Sequence, residues 1–542
     1  MTPGMQFRLW LRSAARGQVA GAFVAVAAVV ALLATSVTPG SHHGGTDSVV
    51  GLGGSGGQSG AGANGTSGSV PGTQGGTTGG ALSGTGSTGS TGAGGSGGTT
   101  GSFGTTGTGT AGGGGGGTTG FGTSGTTGGG SSGQAGDISQ ATDRGVNNCS
   151  GVKTCVKLGV FIAKIGGLDQ SGFALNLRGD IQKVVQAYID DQNKHGGING
   201  RTIVPVYQTI DPIDQGGQNK ACDSMTHDEK VFGILDTAAF IFADAQACLT
   251  QTNKTPYVHG YAESEAFMDA GKGFDVSETR SLDRIAIEWA DEIGKLGFLK
   301  GGEKVGILED NCEPSHSVVD KFLVPGIKKL KPASVKTYES DCSAAYAQSQ
   351  PPALEQKMCV DGVSHVVLAT SFVAAQTFLQ AADGSPCGSG PTKFKYMASD
   401  YSLLASDLFT RNFSKSQFDG SLAITNFFTG ITKTSPQLEK CSKILKAAGL
   451  PGLDNTYPNA DANAFCDYFA IFLKAAQAAG TNLTRVGWAQ AVQQEGAFAG
   501  AFSPKSVFAP GKTSGGELVH AMVWHADCTC YRQTGPLHVG VG

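Results

Sequence analysis

The chain has 542 residues, among them 86 Gly, 12 Cys, 39 Lys or Arg and 43 Asp or Glu, for a formal net charge of -4. With only 15% charged residues and no basic surplus, it lacks the concentrated positive surface that nucleic-acid backbones require, and nucleic acid is excluded as a partner. Glycine is uneven: 42 of the 86 fall in residues 41–140, and the roughly 400 residues that follow have ordinary globular composition, enough for two domains.

Residues 1–40 open with Arg8, Arg12 and Arg16 and no acid, followed by an apolar run from Val19 to Val37 broken only by Thr35 and Ser36. This pattern is that of a signal peptide or an N-in membrane anchor, and either one takes the rest of the chain out of the cytoplasm. Ala34-Thr35-Ser36 offers a small-x-small cleavage site, while the run also approaches the length of a spanning helix, so cleaved and retained forms both stay open. The first cysteine, Cys149, comes too late for a lipoprotein.

Residues 41–140 are mostly Gly, Ser and Thr, with two acids, Asp47 and Asp137, and no Lys or Arg. A segment with no apolar face is expected to be a disordered tether, with a random-coil reach of about 50 to 60 Å. The G-x-S-x-G match at Ser55 lies in this repeat and lacks the strand and helix that a nucleophile elbow needs.

From Val156 the pattern changes to short apolar strands alternating with helices. A strand at 156–162 leads through the Gly-rich loop 166–172 into a helix at 174–193, then through His195-Gly-Gly-Ile-Asn-Gly200 into a strand at 202–209. Helices near 216–228 and 242–252 alternate with strands at 231–235 and 256–259; a helix at 281–298 then precedes a strand at 304–308, a helix near 316–330 and strands at 334–338, 364–368 and 394–398. Helices at 462–479 and from Thr484, and a strand at 516–525, complete the chain. Such alternation predicts an α/β fold of two Rossmann-like lobes with parallel sheets covered on both faces. Lobe 1 is expected mainly over 150–280 with part of the region after 410, and lobe 2 over 281–409 with the C-terminal region.

Twelve cysteines suit an oxidising compartment. Sequence neighbours suggest Cys149–Cys155, Cys222–Cys248, Cys312–Cys342, Cys359–Cys387 and Cys441–Cys466. Cys528 and Cys530, close together in a strand-like segment, are left to pair under strain, to pair elsewhere or to stay free.

Three segments carry a family resemblance: the opening strand and Gly-rich loop with the Gly196-Gly-Ile-Asn-Gly200 turn, Lys230-Val-Phe-Gly-Ile-Leu235, and Val523-Trp-His-Ala526. Over about 150–542 the chain resembles the type I periplasmic solute-binding proteins, specifically the branched-chain amino acid and amide group that serves ABC importers. The resemblance implies two lobes joined by three crossovers, a solute held in the cleft between them, and an ABC permease as partner. It implies no cofactor and no covalent chemistry.

By that resemblance Thr237 occupies the position of a hydroxyl that binds a ligand carboxylate, unless it caps the next helix. Asp400 matches the acid that pairs with the ligand ammonium, unless it is a surface-loop acid. Tyr401 packs on the ligand or on its own lobe. Tyr261 stands where family members present small groups to the ligand, Glu313 replaces a packing aromatic, and Thr370 and Ser371 stand where another aromatic is common. These departures favour a polar or zwitterionic solute over an aliphatic one. Asp169, Gln170 and Ser171 of the first loop are further candidates for the cleft mouth.

Other chemistry is poorly represented. His520, His525, Cys528 and Cys530 form the one metal-like group, but the two histidines are five apart and face opposite sides of a strand, and no metal site is assigned. The ten histidines match no hydrolase, zinc or kinase pattern, and the loop at 166–172 lacks the G-x-G-x-x-G order, so no enzyme is expected. The expected role is capture of a small solute and its delivery to an importer. A ligand-sensing receptor module and a surface-structural protein with a degenerate pocket are the alternatives.

Overall fold

The computed structural model describes residues 145–541 apart from 165–176, 213, 238–240, 242, 343–347, 391–392, 403, 407–411, 432–433 and 455–458. The expected export segment, the tether, and the candidates Asp169, Gln170 and Ser171 lie outside the described residues.

The chain first builds a five-stranded parallel sheet. Strand β1 (Cys155–Ala163) leads to helix α1 (Ile181–Lys194), and β2 (Thr202–Ile210), β3 (Gly233–Leu235), β4 (Tyr257–His259) and β5 (Asp275–Ser277) follow in the spatial order β2-β1-β3-β4-β5. Val156, Leu158 and Val160 of β1 enter one core while Phe161 and Ala163 enter another, as a strand covered on both faces requires. The turn after α1 depends on glycine: Gly197 has φ +63°, and a Cβ there would lie 1.9 Å from the carbonyl oxygen of Arg201.

The chain then crosses at 278–281 to a second sheet. Helix α2 (Leu282–Lys295) starts at Ser281, whose hydroxyl accepts the Arg284 amide at 3.3 Å, and buries Leu282, Ile285, Ala286, Trp289 and Ile293 along one stripe. Strand β6 (Lys304–Asp310), helix α3 (Ser315–Val318), β7 (Ser334–Ser340), β8 (His365–Ala369), helix α4 (Phe372–Asp383), β9 (Lys395–Ser399) and β10 (Leu422–Thr425) follow. A second crossover, residues 426–435, returns to the first lobe, where α5 (Pro436–Ala447), α6 (Ala460–Ala478) and α7 (Arg485–Val492) cover its sheet. Tyr188 of α1 lies 6.1 Å from the ring of Phe465 and 6.5 Å from that of Phe469.

A third crossover, 493–517, carries the short pair β11 (Gly496–Phe498) and β12 (Ser506–Phe508) back to the second lobe. There β13 (Leu518–His525) pairs antiparallel with β10, β14 (Cys530–Gln533) and β15 (His538–Val539), completing an eight-stranded sheet. Trp524 of β13 is fully buried beside Phe413 and Phe418, a structural place for the closing motif.

The five neighbour pairings of cysteines are all present, and Cys528 pairs with Cys530, leaving no free thiol. The metal-like group at the C-terminus is thereby without thiolates, and His520 is buried, its Nε2 2.9 Å from the carbonyl of Thr429. No helix among the described residues is long and apolar enough to cross a membrane.

Candidate functional site

Parallel strands present their carboxyl ends on one side of a sheet, and crevices form there. In this chain those ends are joined by the three crossovers, which bond to one another. The Ser277 amide donates to the Thr513 carbonyl at 3.0 Å, Gly515 donates to Ser277 at 2.8 Å, and Phe428 donates to Phe502 at 2.8 Å. Thr279 Oγ1 donates to Asn426 Oδ1 at 2.6 Å, and Ser503 Oγ donates to the Asn426 carbonyl at 3.2 Å. Asn426 thus ties the second crossover to the other two. Glu278, on the first crossover, is fully buried beside Asp467 of α6, and burial with this neighbour pushes its carboxyl well above the usual carboxylate range. Asp467 itself accepts the amides of Ala501 and Phe502 at 2.7 and 2.8 Å.

Thr237, just past β3, is buried, and its hydroxyl donates to the carbonyl of Phe161 in β1 at 2.6 Å. Its proton is therefore committed in this state to the end of β1. Tyr261, past β4, packs between the two lobes, touching the apolar clusters of both, with its hydroxyl 2.9 Å from that of Tyr257. Gly260 beside it has a packing reason: a Cβ there would meet the hydroxyl of Tyr468 at 1.8 Å.

In the second lobe Asp400 is 2% exposed, so it is no surface-loop acid. Its Oδ1 accepts from Thr425 Oγ1 at 2.7 Å and its Oδ2 from the Asn426 amide at 2.5 Å, which fixes it to the second crossover. Burial pushes its pKa up to about 7, against the pull of those two bonds and of Arg280. Tyr401 is buried against Trp289 of α2 and donates to the Ser315 carbonyl at 2.8 Å, packing on its own lobe. Thr370 and Ser371 both serve Asp310: Thr370 Oγ1 donates at 2.5 Å and the Ser371 amide at 2.7 Å. Ser371 also caps α4, accepting the Ala374 amide at 3.4 Å. Glu313 is exposed, its Oε1 accepting from Ser317 Oγ at 2.7 Å.

The structure therefore brings Asp400 together with the crossover hub and Thr237 with the end of β1, while Glu313 sits outside the buried set. The sequence reading ended the first strand of lobe 2 at Leu308, but β6 runs on to Asp310, and Glu309 and Asp310 are the buried acids there. Burial pushes Asp310 up to about 6 and Glu309 up to about 7. β6 and β7 pair in register through Asp310 and Ser340, so the strand is extended by two polar residues that no apolar pattern marks. Thr279 and Asn426 carried no motif and were missed.

Two parallel-sheet lobes joined by three crossovers define the fold of the type I periplasmic binding proteins. In structure, the chain matches a leucine-binding protein from Thermotoga maritima with TM-score 0.54 and 15% identity, covering 71% of this chain and 99% of that one. It matches a branched-chain amino acid ABC transporter protein from Thermus thermophilus with bound valine at TM-score 0.54 and 15% identity, over 72% of this chain and 97% of that one. A fatty acid ABC transporter substrate-binding protein from Thermomonospora curvata gives TM-score 0.52 and 15% identity, over 74% and 96%. In sequence, no family model and no curated protein matches the chain. The six disulfides fit an extracytoplasmic location.

Proposed function

We propose that this chain is an extracytoplasmic solute-binding protein that closes its lobes on a small polar or zwitterionic solute, an amino acid or related amide, and delivers it to an ABC importer. The N-terminal apolar segment, where it is retained, holds the protein at the membrane. The fold neighbours support the class: their names record leucine, valine and fatty acid as ligands or cargo, so the fold alone leaves the solute open.

Asp400 carries the reading toward an ammonium-bearing solute. It is a buried carboxyl at a strand end, with two of its lone-pair positions used by Thr425 and Asn426 and others free. Without a cation it is held partly protonated near neutrality, and a solute ammonium supplies the charge that offsets its desolvation. Through Asn426, the same carboxyl is one hydrogen bond from the crossover hub, so occupancy acts on the joint between the lobes. Thr237 is assigned to the solute carboxylate, and to meet it the hydroxyl turns from Phe161. Tyr261 closes the pocket from the first lobe.

The test is thermal melting of the full, disulfide-bonded chain against amino acids, small amides, urea, polyamines and carboxylates. A saturating ligand at about 100 times its Kd adds about 2.7 kcal/mol. A shift with amine-bearing solutes that Asp400→Ala abolishes supports the reading. No shift across the panel, or a shift with simple carboxylates that survives Asp400→Ala, overturns it.

A further inference from the structure

The helix-facing side of β6 holds a group of side chains that the solute reading does not use. Residues alternate along β6: Val305 and Ile307 enter the core under α2 and α3, and Glu309 continues on that face. The Glu309 side chain is 0% exposed, yet neither of its carboxylate oxygens accepts a hydrogen bond. His316, on α3, points Nδ1 at Glu309 Oε2 from 3.4 Å, and that nitrogen is itself buried without a hydrogen-bond partner. Directly across the strand pair from Glu309 is Glu339 of β7, which is exposed. One ligand atom from each of Glu309, His316 and Glu339 lies within 4.8 Å of the other two.

A buried carboxylate with no donor is expensive, and a buried imidazole nitrogen aimed at it with poor alignment does little to offset that. A divalent cation between them satisfies both. We infer that Glu309, His316 and Glu339 form a binding site for a divalent transition-metal ion, with zinc as the best-fitting class, at the carboxyl end of β6 and β7.

The surroundings match what such a site needs. Ligand atoms about 2.0–2.2 Å from zinc stand about 3.3–3.5 Å apart in a tetrahedral shell, the separation Glu309 and His316 already have. The far side of the ring, Nε2, lies 3.6 Å from Asp320 Oδ2, so a carboxylate stands behind the imidazole to fix its tautomer and raise its basicity. The Cys312–Cys342 disulfide joins the segments that follow β6 and β7, and the Asn311 amide donates to the Ser340 carbonyl at 2.7 Å, so the two glutamates are held at one spacing. Tyr401 anchors the start of α3 through the Ser315 carbonyl, the residue before His316. Three protein ligands with His316 a third exposed leave a coordination position open to water or to a small anionic group. The mixed imidazole and carboxylate set favours zinc over calcium or magnesium, which take oxygen shells.

The test titrates the chelator-stripped full chain, disulfides intact, with zinc chloride by calorimetry, with calcium chloride as control. One zinc per chain is expected at this site, with no comparable calcium binding. Glu339→Gln, a change at an exposed side chain, and His316→Ala each remove it. Asp320→Asn, which leaves all three ligands, weakens it by about 10- to 100-fold. Cobalt(II) in place of zinc gives a visible absorption band that is lost in Glu339→Gln. Absence of zinc binding, calcium binding as tight as zinc, or zinc binding unchanged in both Glu339→Gln and His316→Ala overturns the assignment.

Discussion

Each lobe sets a histidine against a buried carboxylate on its sheet, and the two pairs are built to opposite ends. In the first lobe His259 and Asp275 are both fully buried, 2.8 Å apart, and the second oxygen of Asp275 accepts from Gln246 at 2.9 Å and Thr250 at 3.3 Å. The rings of Tyr257 and Tyr261 cover the imidazole at 5.0 and 4.1 Å. In the second lobe His316 and Glu309 are 3.4 Å apart and misaligned, with two further acids at the rim and solvent on one side. In the first pair both carboxylate oxygens are filled by protein donors, although the far nitrogen of His259, Nδ1, has no partner; in the second neither carboxylate oxygen accepts a hydrogen bond, and the acid is left open to a ligand. A histidine beside an acid thus reports structure or binding according to how many of the acid's acceptor positions the protein itself fills.

If the first pair is structural, breaking it has the largest effect. Asp275→Ala strands His259, Gln246 and Thr250 in a dry core, and a loss of about 3–5 kcal/mol in denaturant unfolding is expected. Glu309→Gln removes a charge that has no donor and is expected to leave the metal-free protein as stable or more so. Equal losses at the two sites would erase the distinction between them.

The next effect comes from the clamp on the open pair. Replacing Cys312 and Cys342 together by Ser frees a loop of 30 residues, and the stability lost is about 2–4 kcal/mol. The same variant is expected to bind zinc more weakly, because the two strand ends are no longer fixed, while removal of Cys359–Cys387 elsewhere in the lobe leaves zinc affinity unchanged.

A smaller effect appears on titration. Asp400 is raised to about 7 and Asp310 to about 6, whereas an unfolded aspartate titrates near about 3.9. Below about pH 4 both forms are protonated and the contribution is fully present. Between about pH 4 and 7 the unfolded chain releases these protons first, so stability falls as pH rises. Asp400→Asn is expected to flatten that fall in urea midpoints, and a bound amine-bearing solute is expected to flatten it as well.

Much of this was legible in the sequence, and the part that was not has a physical pattern. Apolar runs such as 156–162 and 304–308 marked their strands because burial on both faces demands unbroken hydrophobic segments. The five cysteine pairs followed from neighbours in sequence because segments consecutive in the chain pack side by side: Cys222–Cys248, Cys359–Cys387 and Cys441–Cys466 join neighbouring helical segments, and Cys312–Cys342 joins the loops after β6 and β7. What escaped was polar and short. Leu422–Thr425 is only four residues, and Asp275–Ser277 only three, so neither shows a period. Glu309 and Asp310 looked like the start of a loop, since a buried acid is recognisable only once its partners are known. Asn426 and Thr279, which link the crossovers, lie 147 residues apart, and no local pattern connects them.

The smallest change in stability falls at the residue that best separates binding from structure. Glu339 is exposed, on the edge strand β7, and among the described residues the groups gathered with it are Glu309 and His316. Glu339→Gln is expected to leave the melting temperature of the metal-free protein unchanged and to remove the rise that zinc produces. A charge with a structural role would show itself in the metal-free protein, and a ligand shows itself only when the ion is present. A fall in the metal-free melting temperature with an intact zinc response would return Glu339 to the surface and leave Glu309 and His316 as an imperfect buried pair.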